Sequence, residues 1–172
     1  ALRLLNDAEG KGYRNVQLIA RTIRLMSVLM ATDIYGEMPL QELGLLANPK
    51  FEEQQQIYEW MFDEVDQLLK LFADADWVNC STNLSIDATL DPIYAGDLAK
   101  WGYFCKALKA RLYLRKLPNW DNTPEVCQQI VRLVDDALIG WQEPRYYYPG
   151  GSTESNCPWG PLAPKINSWE SR

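Results

Sequence analysis

The stretch that decides the fold is Asp97-Leu-Ala-Lys-Trp101-Gly-Tyr-Phe104-Cys105-Lys-Ala-Leu108-Lys-Ala-Arg-Leu112, running on to Leu117-Pro118. Trp101, Phe104, Cys105, Leu108 and Leu112 recur at helical spacing, which gathers them on one face of an α-helix. Asp97 is a good N-cap, because its carboxylate accepts from the free N–H groups of a first turn, and Pro118 cannot continue the helix. Just beyond, Thr123 and Pro124 read as the N-cap and first residue of the next helix. Its stripe is Val126, Ile130, Leu133, Val134, Ala137 and Leu138, and Gly140 closes it. The short link, Pro118 to Asn122, makes the two helices antiparallel neighbours.

Working back toward the N-terminus, a helix is expected over 52–72, with Ile57, Met61, Val65, Leu68 and Phe72 as its inner face and Glu52, Glu53 and Glu59 favouring its N-terminal half. Before it, Val16, Ile19, Ile23, Met26 and Met30, widened by Ala20 and Leu29, mark a helix that a left-handed Gly36 ends. The link between these two holds Gly36-Glu37-Met38-Pro39 and folds over the surface. No strand-period alternation of useful length appears, so the expected class is all-α, built from antiparallel helical hairpins. The two hairpins do not match at a fixed period. Residues 1–140 read as the hairpin scaffold, with a polar connector at 73–96, and 141–172 as an irregular segment of the same domain. From 140 onward the chain holds five of the ten prolines, four of the ten glycines and six of the twenty aromatic residues. Long helices are excluded there, yet the segment is too aromatic for a plain linker.

Composition narrows the chemistry. The 172 residues suffice for one domain with a real core, and 47% hydrophobic against 23% charged residues excludes disorder. A net charge of −6 repels nucleic-acid phosphates and anionic lipid surfaces. The chain has no histidine, which removes Ser-His and Cys-His dyads and the commonest zinc sites. No CxxC pair occurs. Cys105 and Cys127 are expected as core thiols, while Cys80 and Cys157 fall in loops, where a bridge would need an oxidising compartment. No apolar run is long enough to span a bilayer, residues 1–25 lack a signal-peptide pattern, and the start at Ala1-Leu2-Arg3 reads as a fragment or processed product.

Other motifs resolve to structure. The cations Lys100, Lys106, Lys109, Arg111, Arg115 and Lys116 are answered by Glu52, Glu53, Glu59, Asp63, Glu64 and Asp66 on the preceding helix, which reads as ion pairing and solvated faces rather than a polyanion site. Asp63-Glu64 and Asp135-Asp136 are adjacent carboxylates that face water, not a glycosidase pair. Asp74-Ala-Asp76-Trp-Val-Asn79 fails as a calcium loop, since Asn79 and Ser85 stand where Gly and Glu are required. The Gly-rich Pro149-Gly150-Gly151-Ser152 is neither a Walker loop nor a dinucleotide fingerprint. Enzyme chemistry and cofactors therefore find no support. What remains is a set of aromatic residues in irregular chain: Tyr146, Tyr147, Tyr148, Trp159 and Trp169, with Trp77 and Trp120 in other connectors. Such rings stack on the C–H faces of sugars, or on apolar ligands, at low entropic cost.

Three segments resemble the SusD/RagB family of nutrient-binding lipoproteins of Bacteroidetes outer membranes. They are Ala31-Thr-Asp-Ile-Tyr-Gly-Glu-Met-Pro-Leu40; Ile57-Tyr58 through Asp63-Glu64-Val65-Asp66 to Leu68-Leu69; and Asp91-Pro-Ile-Tyr-Ala-Gly-Asp97 through Lys100-Trp101 to Leu112. Their order and spacing agree with the family over residues 15–140. Cys105-Lys106-Ala107 departs from it, standing where a small residue, Asn and Ser are usual. The resemblance implies a tetratricopeptide-like helical receptor, lipid-anchored at the cell surface. Such a receptor captures an oligosaccharide, less often a peptide, and acts as a lid on a TonB-dependent (SusC-like) transporter. It implies loop aromatics as the ligand contacts, here Trp77, Tyr146, Tyr147, Tyr148, Trp159 and Trp169, since the matching motifs are scaffold. The alternative is a helical scaffold for protein partners without glycan binding.

Overall fold

The computed structural model describes residues 1–116 and 123–148. Among them the helices are α1 (Leu2–Lys11), α2 (Arg14–Tyr35), α3 (Gln54–Ala73), α4 (Ala75–Val78), α5 (Leu98–Lys116) and α6 (Pro124–Leu138). No strand forms among the described residues, and Met38 and Glu52 make an isolated antiparallel bridge. The described residues are all-α, as expected.

Helix α5 starts as its sequence dictates. The Asp97 carboxylate accepts from the N–H groups of Ala99 at 3.0 Å and Lys100 at 3.2 Å. Trp101, Phe104, Cys105, Leu108 and Leu112 are all buried. Successive helices pair antiparallel. Lys109 meets Asp66, Tyr113 packs its ring edge on Phe62, and Gly102 lies against Phe72, so rising numbers in α5 meet falling numbers in α3. Arg21 likewise meets Glu64 while Thr32 and Asp33 meet Gln54 and Tyr58, which pairs α2 with α3. Tyr103 sits against Gly140 and Lys106 against Asp136, which pairs α5 with α6. The core fills the space between α2, α3 and α5, with Leu18, Leu25, Ile57, Met61, Val65, Leu68 and Leu112 fully enclosed.

Two buried polar nodes lock this arrangement. Asp91, just ahead of α5, accepts from the N–H groups of Ile93 (3.1 Å), Tyr94 (3.2 Å) and Gly96 (2.9 Å) and from Trp101 Nε1 at 2.8 Å. One carboxylate thus shapes the turn and ties down the largest core side chain. Gly96 is required there: its φ is 77°, and a Cβ would stand 2.6 Å from Ile86. At the far end, Asp33 accepts from the Tyr58 hydroxyl at 2.6 Å and from Arg115 Nε at 2.9 Å, joining α2, α3 and α5. Burial and that hydrogen bond push the Tyr58 phenol well above its ordinary pKa.

The structure corrects several expectations. Helix α1, which the sequence reading missed, folds back along α2. The buried face of α2 includes Ile19, Ala20 and Leu29 of the expected stripe together with Leu18, Thr22, Leu25, Val28 and Thr32, whereas Met30 is exposed and Val16, Ile23 and Met26 are only partly covered. Polarity misled the reading, because a buried threonine can satisfy itself locally: Thr22 donates to the Leu18 carbonyl at 2.8 Å and Thr32 to that of Gly36 at 2.7 Å. Gly36 ends α2 at φ 75°, ψ −113°, a glycine region but not the left-handed helical one. Gly140 does not turn the chain at positive φ; its missing side chain admits the Tyr103 ring, which a Cβ would strike. On α6 only Ala137 is buried, and Val134 and Leu138 of the expected stripe are exposed. Cys127 is exposed as well, whereas Cys105 is fully buried, as read. Glu64 is buried rather than facing water, held in a bidentate pair by Arg21 at 2.7 and 2.8 Å.

Candidate functional site

Three exposed tyrosines lie in the irregular chain that follows α6, while Tyr35 and Phe51, also exposed, lie elsewhere. Three contacts fix the departure of that chain from α6. Trp141 stacks on Phe104, ring centres 6.2 Å apart and planes 20° from parallel. The Tyr94 hydroxyl donates to the Gln142 carbonyl at 2.7 Å, and Gly140 lets Tyr103 approach. The chain after Gln142 therefore departs from a surface made by α5 and the Asp91 turn. Burial, followed by the nearby Asp91 charge, pushes the Tyr94 phenol up to about 12.

Tyr146, Tyr147 and Tyr148 follow, 51%, 74% and 46% exposed. The rings of Tyr146 and Tyr148 meet edge to face, their centres 4.7 Å apart. Arg145 pairs with Glu143 at 2.6 Å, and hydrogen bonds to Tyr147 and then Glu143 raise its pKa. Rings flanked by a guanidinium and a carboxylate suit a polyhydroxylated ligand: the rings cover C–H faces, and the charged groups take hydroxyls.

The other predicted aromatics fall elsewhere. Trp77 belongs to the short helix α4 rather than to a loop; it packs partly buried on the core, with Arg14 5.2 Å from its ring centre. The structure therefore brings Tyr146 and Tyr148 into contact, leaves Tyr147 outside that ring contact, and gives Trp77 a different set of partners. Trp159 and Trp169 lie outside the described residues, as do Trp120, Cys157 and the Pro149–Ser152 stretch. Trp141, 37% exposed at the root of the tyrosine segment, is the ring the sequence reading passed over. Its position directly after the Gly that ends an amphipathic helix was the available signal.

The basic face of α5 is engaged in the fold. Lys109 meets Asp66 at 2.6 Å, Lys106 meets Asp136 at 2.9 Å, Arg115 and Arg111 meet Asp33 at 2.9 and 3.9 Å, and Lys100 meets Asp97 at 3.6 Å. Lys116 lies 5.4 Å over the Phe62 ring. Ion pairing was the right reading, but the partners come from α2 and α6 as well as from α3. No group of His, Cys, Asp and Glu among the described residues could hold a metal ion, and none of the described helices is long and apolar enough to cross a membrane.

Comparison with known proteins matches residues 2–141 to the SusD-like family, described as starch-binding and associating with the outer membrane. No curated protein matches the chain. Solved structures share its fold. A SusD/RagB family protein from Bacteroides thetaiotaomicron superposes at TM-score 0.61 with 23% identity, over 76% of this chain and 27% of that one. A chitin-binding SusD homologue from Flavobacterium johnsoniae superposes at 0.59 with 20% identity, over 78% and 26%. A SusD homologue from Bacteroides ovatus does so at 0.54 with 24% identity, over 74% and 24%. The chain thus spans about a quarter of the length of these structures.

Proposed function

The chain belongs to the SusD-like family, and from that premise we propose that it is part of a cell-surface receptor that binds an oligosaccharide without chemistry and delivers it to a TonB-dependent transporter. The family match over residues 2–141 carries this reading. It is supported by the chitin-binding relative of the same fold, and by rings displayed on irregular chain beyond a helical frame. In this proposal residues 1–140 are the frame and 141–172 present the ligand contacts within one domain. Tyr146, Tyr147 and Tyr148 form the described part of the site; Trp159 and Trp169 join it on sequence position, and Trp77 is its weakest member because core and Arg14 already occupy it. The transporter partnership and a lipid anchor at the outer-membrane surface belong to the same proposal.

Calorimetric titration of the full chain with malto- and chito-oligosaccharides tests it. Saturable binding is expected, weakened about tenfold by Tyr147→Ala and further by Tyr146→Ala combined with Tyr148→Ala. Binding that no loop-aromatic substitution alters would move the site elsewhere. Capture of a large β-barrel partner without sugar affinity would favour the protein-scaffold reading.

A further inference from the structure

Four aromatic rings connect the turn ahead of α5 to the start of the tyrosine segment. The Asp91 carboxylate accepts from the N–H of Tyr94 and from the indole N–H of Trp101. The Tyr94 ring meets Trp101 edge to face with centres 5.1 Å apart and Phe104 at 6.5 Å, and Phe104 in turn stacks on Trp141. Tyr94 is 3% exposed, so its hydroxyl proton needs an acceptor within the protein, and the Gln142 carbonyl is that acceptor at 2.7 Å. Among the described residues no other hydrogen bond joins 142–148 to the helical frame. Beyond Gln142 the ties run within the segment, from Arg145 to Glu143 and Tyr147, and from Tyr146 to Tyr148. A segment tied to itself and hydrogen-bonded to the frame at Gln142 takes its position from that bond and from the Trp141 stack just before it.

We propose that Tyr94 is a positioning residue for the tyrosine segment: its hydroxyl, seated by Asp91 and Trp101, holds residues 142–148 in place before a ligand arrives. The proposal rests on the reading of Tyr146, Tyr147 and Tyr148 as ligand contacts. Backbone that is already fixed loses less entropy on binding, so affinity should depend on a hydroxyl that touches no ligand. That hydroxyl is not what packs Tyr94, since the contacts with Trp101 and Phe104 are made by its ring. Gln142 is exposed, so its carbonyl turns to water once the phenol is gone. Removing the hydroxyl therefore frees the segment and leaves the frame folded.

Tyr94→Phe in the full chain tests this, with Val65→Ala as the comparison, because Val65 is fully enclosed in the core and belongs neither to the Asp91 turn nor to the segment. Two quantities are measured: calorimetric affinity for maltoheptaose and chitohexaose, and the rate of tryptic cleavage after the exposed Arg145, which needs no ligand. Tyr94→Phe should weaken binding of whichever sugar saturates by about fivefold and speed that cleavage by about fivefold, the factor of one hydrogen bond. Val65→Ala should lower stability in urea and change neither quantity. Equal shifts in Val65→Ala overturn the proposal, because the effect would then be one of general stability. Faster cleavage with undiminished sugar affinity overturns it too, since the bond would then serve the fold alone. Absence of sugar binding by the unaltered chain would remove the ligand reading, whereas unchanged cleavage in Tyr94→Phe removes the anchor whether or not a sugar binds.

Discussion

Helices α5 and α6 are neighbours of similar length, yet they are held in different ways. Trp101, Phe104, Cys105, Leu108, Ala110 and Leu112 of α5 are buried, and its start is tied to Asp91 and Asp97. Helix α6 has the stronger apolar–polar segregation in its sequence but buries only Ala137. Val131, Val134 and Leu138 remain exposed, and an apolar groove of about 310 Å³ runs between it and α5. Amphipathicity makes a helix able to pack; only a partner on the apolar side converts that capacity into stability. The central helices should therefore carry the folding energy, and α6 should contribute through one edge.

The largest expected difference follows directly. Trp101→Ala removes a fully enclosed ring and leaves the Asp91 carboxylate without its indole donor, so a loss of about 3–5 kcal/mol is expected. Val134→Ala on α6, 39% exposed, should cost about 0.5 kcal/mol or less. Urea denaturation of both variants measures the contrast, and comparable losses would mean that α6 is covered in solution.

Ion pairs divide along the same line. Glu64→Ala strands Arg21, whose side chain is 16% exposed, and should cost about 2 kcal/mol or more. Replacing both residues by Met should recover most of that, because no charge is then left buried alone. The α5–α6 pair of Lys106 and Asp136, 30% and 51% exposed, is worth less than about 1 kcal/mol. A double-mutant cycle at each pair reads the two coupling energies, and equal values would break the distinction.

Glycines sharpen it further. Gly96→Ala forces a side chain into positive φ and against Ile86, at an expected cost of about 1–3 kcal/mol. Gly10 lies inside α1 with nothing within 4 Å of a would-be Cβ, so Gly10→Ala should stabilise by about 0.5–1 kcal/mol. Opposite signs in thermal melts are the expected result. A gain at Gly96 would show that the Asp91 turn relaxes freely.

What the sequence made legible, and what it hid, follows from where the determining groups sit. Helix starts were readable because a cap is local: Asp97 and Thr123 act on N–H groups two or three residues on. The α5 face was readable because every residue in it is apolar. The α2 face was less so, since two of its buried members are threonines satisfied locally, Thr22 within the helix and Thr32 at its C-cap Gly36. Glu64 hid for a related reason, its partner Arg21 lying 43 residues away. α6 misled in the opposite sense, with a stripe that declared an inner face whose cover is not among the described residues. The proposed aromatic segment was legible as a composition shift after Gly140, but not in its internal contacts. The Tyr146–Tyr148 contact and the Phe104–Trp141 stack depend on how the chain leaves α6.

The two helical cysteines give the finest form of the comparison, because the chemistry is constant and only the surroundings differ. Burial, reinforced by the charge of Glu64, pushes the Cys105 thiol up to about 12 from its ordinary value of 9.0. Its native form therefore holds the proton more tightly than the unfolded chain does. That contribution to stability is full below pH 9 and is lost progressively as the pH rises from 9 toward 12. Tyr94, raised from 10.0 to about 12, acts in the same sense over the upper part of that window. Alkaline titration followed by circular dichroism should accordingly show a decline that Cys105→Ala makes shallower. At pH 8 an iodoacetamide reagent should reach Cys127 in the folded protein, but Cys105 only through opening of the core, so the Cys105 rate should track stability in urea. Equal labelling of the two thiols in native buffer would mean that α5 shares the loose packing of α6.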